Sequence, residues 1–116
     1  MFALNFQSPN HKPLLITRKK NCTIRLGDIR DSFPENSLVW ITFGKKFEPK
    51  LKLYPAVIDK VAVKTFAELT TGDLEHQNPA IKSLDELRHF LEETYHKVVS
   101  PDDIVTVIYF SEVFEE

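Results

Sequence analysis

Five runs of strand-forming residues, never in regular alternation with helices, limit most what this chain can fold into. Leu38-Val39-Trp40-Ile41-Thr42-Phe43 is almost wholly β-branched or aromatic, a composition suited to a pleated, packed surface. Ile104 to Phe110 is an equally apolar run near the other end. In Cys22 to Leu26 the pattern alternates. Cys22, Ile24 and Leu26 point one way and Thr23 and Arg25 the other, as in a half-buried strand. Residues 2–6 (FALNF) form a short strand. Leu53 to Lys64 forms another, with Val57, Asp59, Val61 and Val63 on one parity and Ile58, Lys60, Ala62 and Lys64 on the other. Pro55 has no N–H to give a ladder, so it predicts a bulge or a sheet edge near the start of that strand.

Helical signals are fewer. Lys12 to Thr17 reads as a short helix, with Pro13 tolerated in its first turn. Thr65-Phe66-Ala67-Glu68 is a capping box opening a short helix or turn. A polar segment, Thr70 to Pro79, follows it. Ser83-Leu84-Asp85-Glu86 is a second capping box and opens the clearest helix. There Leu84, Leu87, Leu91, Thr94, Tyr95 and Val98 recur at helical spacing, while Asp85, Glu86, His89, Glu92, Glu93 and His96 face water. Strands with short helices and no βαβ repeat predict an α+β fold, a small, mixed, partly closed β-barrel flanked by short helices.

A chain of 116 residues holds one such domain, spanning 1–116. Hydrophobic residues make up 42% and charged residues 28%, the balance of a soluble globule with no membrane partner. The start, MFALNFQSPN, lacks the basic and apolar regions of a signal peptide. The single cysteine, Cys22, has no partner for a disulfide or a zinc site, and a cytoplasmic setting is the expectation. His11, His76, His89 and His96 show no ligand spacing, so neither a metal nor another cofactor is expected.

Charge is distributed unevenly. Residues 11–64 carry twelve Lys or Arg against five Asp or Glu, and residues 65–116 carry three against twelve. Either the first half forms a basic face for a polyanion, or the two halves neutralise each other in the fold. The densest basic stretch is Lys19-Lys20-Asn21-Cys22-Thr23-Ile24-Arg25. A strand that holds Thr23 and Arg25 on one face, with Lys19 and Lys20 at its mouth, can build a polar pocket for a phosphate, a base edge or an acyl oxygen. Arg25 carries a planar fork suited to phosphate. It could equally pair with Asp28 or Asp59. Lys45 and Lys46, at a turn, suit a nucleic-acid backbone. Gln77 offers an amide for a base edge. Trp40 reads as core, while Tyr54 and Tyr109 are stacking candidates, with core packing the stronger reading for Tyr109.

Taken in order, KKNCTIRLGD, LVWITFG, AVIDKVAVKTFAELT, SLDELRHFLEETY and DDIVTVIYF resemble the ASCH domain, a branch of the PUA-like superfamily. The resemblance covers nearly the whole chain. It implies a mixed β-barrel with a cleft that binds RNA or a modified nucleoside. One bacterial branch is an amidohydrolase of acylated cytidine, whose implied catalytic set is a Lys, a Thr and a Glu. Lys20 and Thr23 match the first two. Gln77 stands at the position of the Glu, with Glu75 two residues away as the nearest carboxylate. Joined to the reading of the residues, the resemblance gives a binding cleft lined by Lys20, Thr23, Arg25 and the Glu75–Gln77 segment, with Lys19, Lys45 and Lys46 as further binding residues. The alternative is a hydrolase, an amidohydrolase or ribonuclease, using Lys20, Thr23 and Glu75.

Overall fold

The strand-forming runs pair into a single five-stranded sheet in a computed structural model that describes residues 2–114. The strands are β1 (Phe2–Phe6), β2 (Cys22–Leu26), β3 (Leu38–Phe43), β4 (Leu51–Thr65) and β5 (Ile104–Glu112), in the spatial order β1-β3-β4-β5-β2. Only β1 and β3 run parallel, and the other neighbours are antiparallel. The sheet curls into a half-barrel whose two edge strands are β1 and β2. Among the described residues three α-helices accompany the sheet, α1 (His11–Ile16), α2 (Thr71–Gln77) and α3 (Leu84–Tyr95), with short 3-10 turns at Arg30–Ser32 and Phe66–Glu68. The fold is α+β, a curled half-barrel with short helices, as the order of the elements predicts.

The sheet is packed on both faces. Leu4, Phe6, Val39, Ile41, Tyr54, Ala56, Ile58, Ile108 and Phe110 form one core with Leu15 of α1. Cys22, Ile24, Val105 and Val107 form the other with Leu74 of α2 and Leu87 and Leu91 of α3. Strand β5 serves both, with Val105 and Val107 on one side and Ile108 and Phe110 on the other. A strand covered on two faces reads as a continuous apolar run, which is why residues 104–110 show no alternation. In β2 the alternation survives, because Cys22 and Ile24 enter the second core while Thr23 and Arg25 face away from it.

Two bulges shape β4. The register slips at Leu53 opposite β3 and at Asp59 opposite β5. The first lies two residues before Pro55, where a proline's missing N–H predicts it. The second overturns the simple parity of residues 57–63. An extra residue shifts every later side chain to the opposite face. Tyr54, Ala56 and Ile58 bury against the first core before the bulge, and Val61 packs against the same core after it.

Other departures have local causes. The polar segment after Thr70 contains a helix, α2. Thr70 caps it and its partner Asp73 completes a capping box. Its single apolar residue, Leu74, gave no periodicity to read. Helix α3 stops at Tyr95 because His96 turns left-handed, so Val98 lies beyond it and is exposed. Trp40 is half-buried under the Lys52 ammonium instead of lying in the core. Tyr54, a stacking candidate by sequence, is buried in the first core with the Arg18 guanidinium 3.8 Å above its ring.

Asp73 ties α2 to the sheet. It accepts hydrogen bonds from Lys64 at 2.9 Å, from the Tyr109 hydroxyl and from the Thr70 amide. Burial alone would raise its pKa, but the hydrogen bonds from Tyr109, Lys64 and Thr70 outweigh it and hold the carboxyl at about 2. A depressed carboxylate pKa stabilises the fold above the unfolded value and loses that stability as pH falls through the folded one. The expected contribution is about 2 kcal/mol above pH 5, declining between about pH 4 and 2. Urea melts of wild type and Asp73→Asn over that range check it, because the two should converge at the acid end.

Candidate functional site

The pocket lies where the two edges of the curled sheet meet. Arg25 on β2 donates from Nη2 to the carbonyl of Asn5 on β1 at 2.6 Å, which bridges the edges directly. Its Nε donates to the Thr23 hydroxyl at 3.2 Å, and its guanidinium lies 5.2 Å from the Phe6 ring centroid. Asn5 is itself anchored, since its amide donates to Gly44 O and accepts from the Thr42 hydroxyl. Above this seam opens a cavity of about 620 Å3. Thr23, Arg25 and Gln77 line it, together with Phe6, His11, Phe90, Glu93 and Tyr95.

Beneath it lies Lys20, which is only 1% exposed. Its Nζ donates to Cys22 O at 2.6 Å, to Gln77 O at 2.9 Å and to Gln77 Oε1 at 2.6 Å. Burial, and to a smaller degree Arg25, pushes its pKa well below the usual lysine range. The three oxygens act the other way, because only an ammonium has three N–H groups to give. Three oxygens at hydrogen-bond distance match the three donors of the ammonium form, which has no lone pair to offer.

The same contacts complete β2. As an edge strand it presents unpaired backbone groups on its free side. The Cys22 carbonyl meets Lys20, the Ile24 N–H donates to Gln77 Oε1 at 3.1 Å, and the Leu26 N–H donates to the Tyr95 hydroxyl at 3.3 Å. Gln77 therefore joins α2, Lys20 and β2 through one amide oxygen. His76 reinforces the joint, its carbonyl accepting from Asn21 N at 3.2 Å.

The structure thus brings Thr23, Arg25 and Gln77 together around the cavity, with Lys20 under them. Arg25 makes no ion pair with Asp28 or Asp59; Asp28 pairs with Arg30 instead. Lys19 and Glu75 are exposed and stand outside the cavity wall. The Glu75 carboxylate therefore does not join Lys20 and Thr23. Lys45 and Lys46 are exposed on the β3–β4 loop, one residue past Gly44, which Asn5 and Phe6 hold beside the seam. Tyr109 faces the second core, its hydroxyl on Asp73. The Cys22 thiol is buried and pushed up to about 12, mainly by that burial, so it is no nucleophile.

His11 was legible only as a histidine without ligand spacing. In the fold it is 4% exposed, its ring 5.0 Å from Phe90, and its Nε2 has no hydrogen-bond partner. Burial, then the positive charges of Lys20 and Arg25, lower its pKa to about 3, so the ring is neutral at physiological pH. Tyr95, which helical spacing placed on the apolar stripe of α3, also lines the cavity, as do Phe90 and Glu93, which spacing did not single out. Among the described residues no three His, Cys, Asp or Glu side chains gather as a metal site. No described helix is long and apolar enough to cross a membrane.

The fold is ASCH-like. Solved structures of similar shape include protein EF3133 from Enterococcus faecalis V583, of the DUF984 family. The match has a TM-score of 0.66 at 15% identity and covers 97% of this chain and 81% of that one. An ASCH domain from Lactobacillus crispatus JV V101 matches with a TM-score of 0.63 at 15% identity, over 89% and 70% of the two chains. The hypothetical protein PH0355 matches with a TM-score of 0.59 at 18% identity, over 95% and 100%. No family model matches the sequence, and neither does any curated protein.

Replacing Lys20 tests the buried joint. Lys20→Met keeps the bulk but leaves the Cys22 and Gln77 backbone carbonyls without this donor, and Gln77 Oε1 with the Ile24 N–H alone. A loss of about 3 kcal/mol or more is expected, since each unsatisfied buried acceptor costs about 1–3 kcal/mol. Chemical denaturation of the variant measures it.

Proposed function

We propose that the seam cavity binds RNA or a modified nucleoside, with Thr23, Arg25 and Gln77 as its polar contacts. The observation that carries this reading is the convergence of those three side chains on one cavity between the sheet edges. The cavity also offers what such a ligand needs. Phe6 and Phe90 supply apolar and aromatic wall, and Arg25 supplies a fork for phosphate or a base edge. Lys45 and Lys46 lie on a loop anchored beside the cavity, where they suit the phosphates of a longer strand. The ASCH-like fold accords with this use. A cytoplasmic site of action remains part of the proposal.

Hydrolysis of acylated cytidine, or cleavage of RNA, by Lys20 and Thr23 is the second reading. The closeness of the two residues to one cavity favours it. Three features oppose it. Lys20 gives all its N–H groups to carbonyl oxygens, Gln77 offers an amide where a proton carrier is needed, and Glu75 faces solvent. Binding without turnover is therefore the stronger reading.

Fluorescence anisotropy with single-stranded RNA across a salt series tests the binder. Affinity should fall steadily with salt, as counterion release requires. Arg25→Ala should weaken binding at least tenfold. Lys45→Ala and Lys46→Ala should each weaken it a few-fold and flatten the salt slope by about one. Equal, small effects of all three substitutions would indicate a diffuse charged surface.

The catalytic alternative has its own assay, release of cytidine from its N4-acylated form. The wild type should release little or none. Gln77→Glu should raise any residual rate, because it places an ionisable group beside Lys20. Rapid wild-type turnover abolished by Thr23→Ala would overturn the binder.

A further inference from the structure

The cavity contains a cation that no acid answers. Arg25 spends two of its five N–H groups, on Thr23 Oγ1 and on the Asn5 carbonyl, and its Nη1 has no partner. Both of its acceptors are uncharged. The one acidic residue in the cavity wall, Glu93, forms no ion pair with it. Lys20, just below, is likewise bonded only to carbonyl oxygens. Buried or half-buried cations are ordinarily paired, because leaving one unpaired away from water is costly. His11, on the same wall, adds an unpartnered nitrogen that is cut off from solvent. The amide nitrogen of Gln77 also makes no hydrogen bond, since only its oxygen is engaged. Arg25, His11 and Gln77 thus bring open donors to one cavity, which Glu93 and Tyr95 of α3 also line.

We propose that the Arg25 side of the cavity is an anion seat, in which a phosphate or carboxylate of the ligand is held by the free edge of Arg25 and by His11 Nε2–H. It rests on the binding reading above, because it names the part of the ligand that the same cavity engages. A neutral imidazole suits the role, since with the proton on Nε2 it donates one directed hydrogen bond. The planar fork of Arg25 meets two oxygens at once. A ligand seated this way neutralises the charge that the protein leaves open. It follows that the preferred ligand is a nucleotide or an RNA end bearing phosphate, in preference to a bare nucleoside.

Calorimetric titration of the full chain separates the possibilities. The probes are cytidine, cytidine 5′-monophosphate, ribose 5-phosphate and ribonate, which vary base and anion independently. The monophosphate should bind at least tenfold more tightly than cytidine. Whichever of ribose 5-phosphate and ribonate binds more tightly assigns the seat to phosphate or to carboxylate. Arg25→Gln should abolish the preference for the monophosphate, and His11→Phe should reduce it several-fold. Because Arg25 also bridges the sheet edges, its variant is first checked by denaturation. If it does not fold, the wild type decides, through the His11 ring-nitrogen resonances during titration with ribose 5-phosphate and ribonate. A shift of these resonances supports the seat. Equal affinity for cytidine and its monophosphate, or unmoved His11 resonances, would overturn it. If single-stranded RNA fails to bind while ribose 5-phosphate binds, the RNA reading falls and the seat stands. If RNA binds with His11 unmoved and all anionic probes excluded, the seat falls and the RNA reading stands.

Discussion

One hydrogen bond, from Arg25 to the Asn5 carbonyl, governs this structure, because it joins the two edge strands of the curled sheet. A half-barrel of five strands leaves two edges, and unpaired edges invite association with other chains. Here the edges are drawn together by a side chain where a ladder would close a full barrel. A side chain needs more room than a ladder, so the closure leaves a cavity behind it. The residue that shuts the fold is also the residue that faces the cavity. Stability and recognition are therefore coupled at position 25, and few replacements could serve both. Lysine lacks the planar fork needed to meet Thr23, Asn5 and a further group together.

The free side of β2 shows the same economy. Three successive outward-facing backbone groups, on Cys22, Ile24 and Leu26, are met by Lys20, Gln77 and Tyr95, which come from three different parts of the chain. This accounts for α2. Its sequence, TGDLEHQ, has a glycine and a single leucine, a poor helix on intrinsic grounds. It is held by the Thr70–Asp73 capping box, by Leu74 in the second core and by Gln77 on the strand edge. Tertiary contacts override propensity here, as short helices in proteins require.

What could be read from the sequence follows from this division. Period-two and helical spacing are local, so the faces of β2, the buried leucines of α3 and the order of the strands were legible. The capping box at Thr65 and the N-cap at Ser83 were too, although the Glu86 carboxylate reaches the Lys82 N–H and so leaves the second box half-formed. The bulge at Asp59 was not, because a single inserted residue leaves no compositional mark, and it reversed the reading of Val57 against Val61. The site was partly legible. Thr23 and Arg25 share a parity, so their common face was evident. The contact of Lys20 with Gln77 spans 57 positions and no local pattern announces it. His11 looked inert because its significance lies in an absence of partners, which only packing reveals. Tyr54 looked like a stacking surface because an aromatic beside a proline is ambiguous until its neighbours are known.

The setting of Lys20 has a consequence for how the protein is assembled. Three oxygens at 2.6–2.9 Å surround a positive charge, much as carbonyl oxygens surround a bound alkali ion. Here the ion is covalently tethered to the chain it organises. It needs no loading after synthesis, no chelator can extract it and no competing ion can replace it. The clasp between α2 and β2 forms with the fold itself and needs no added ion.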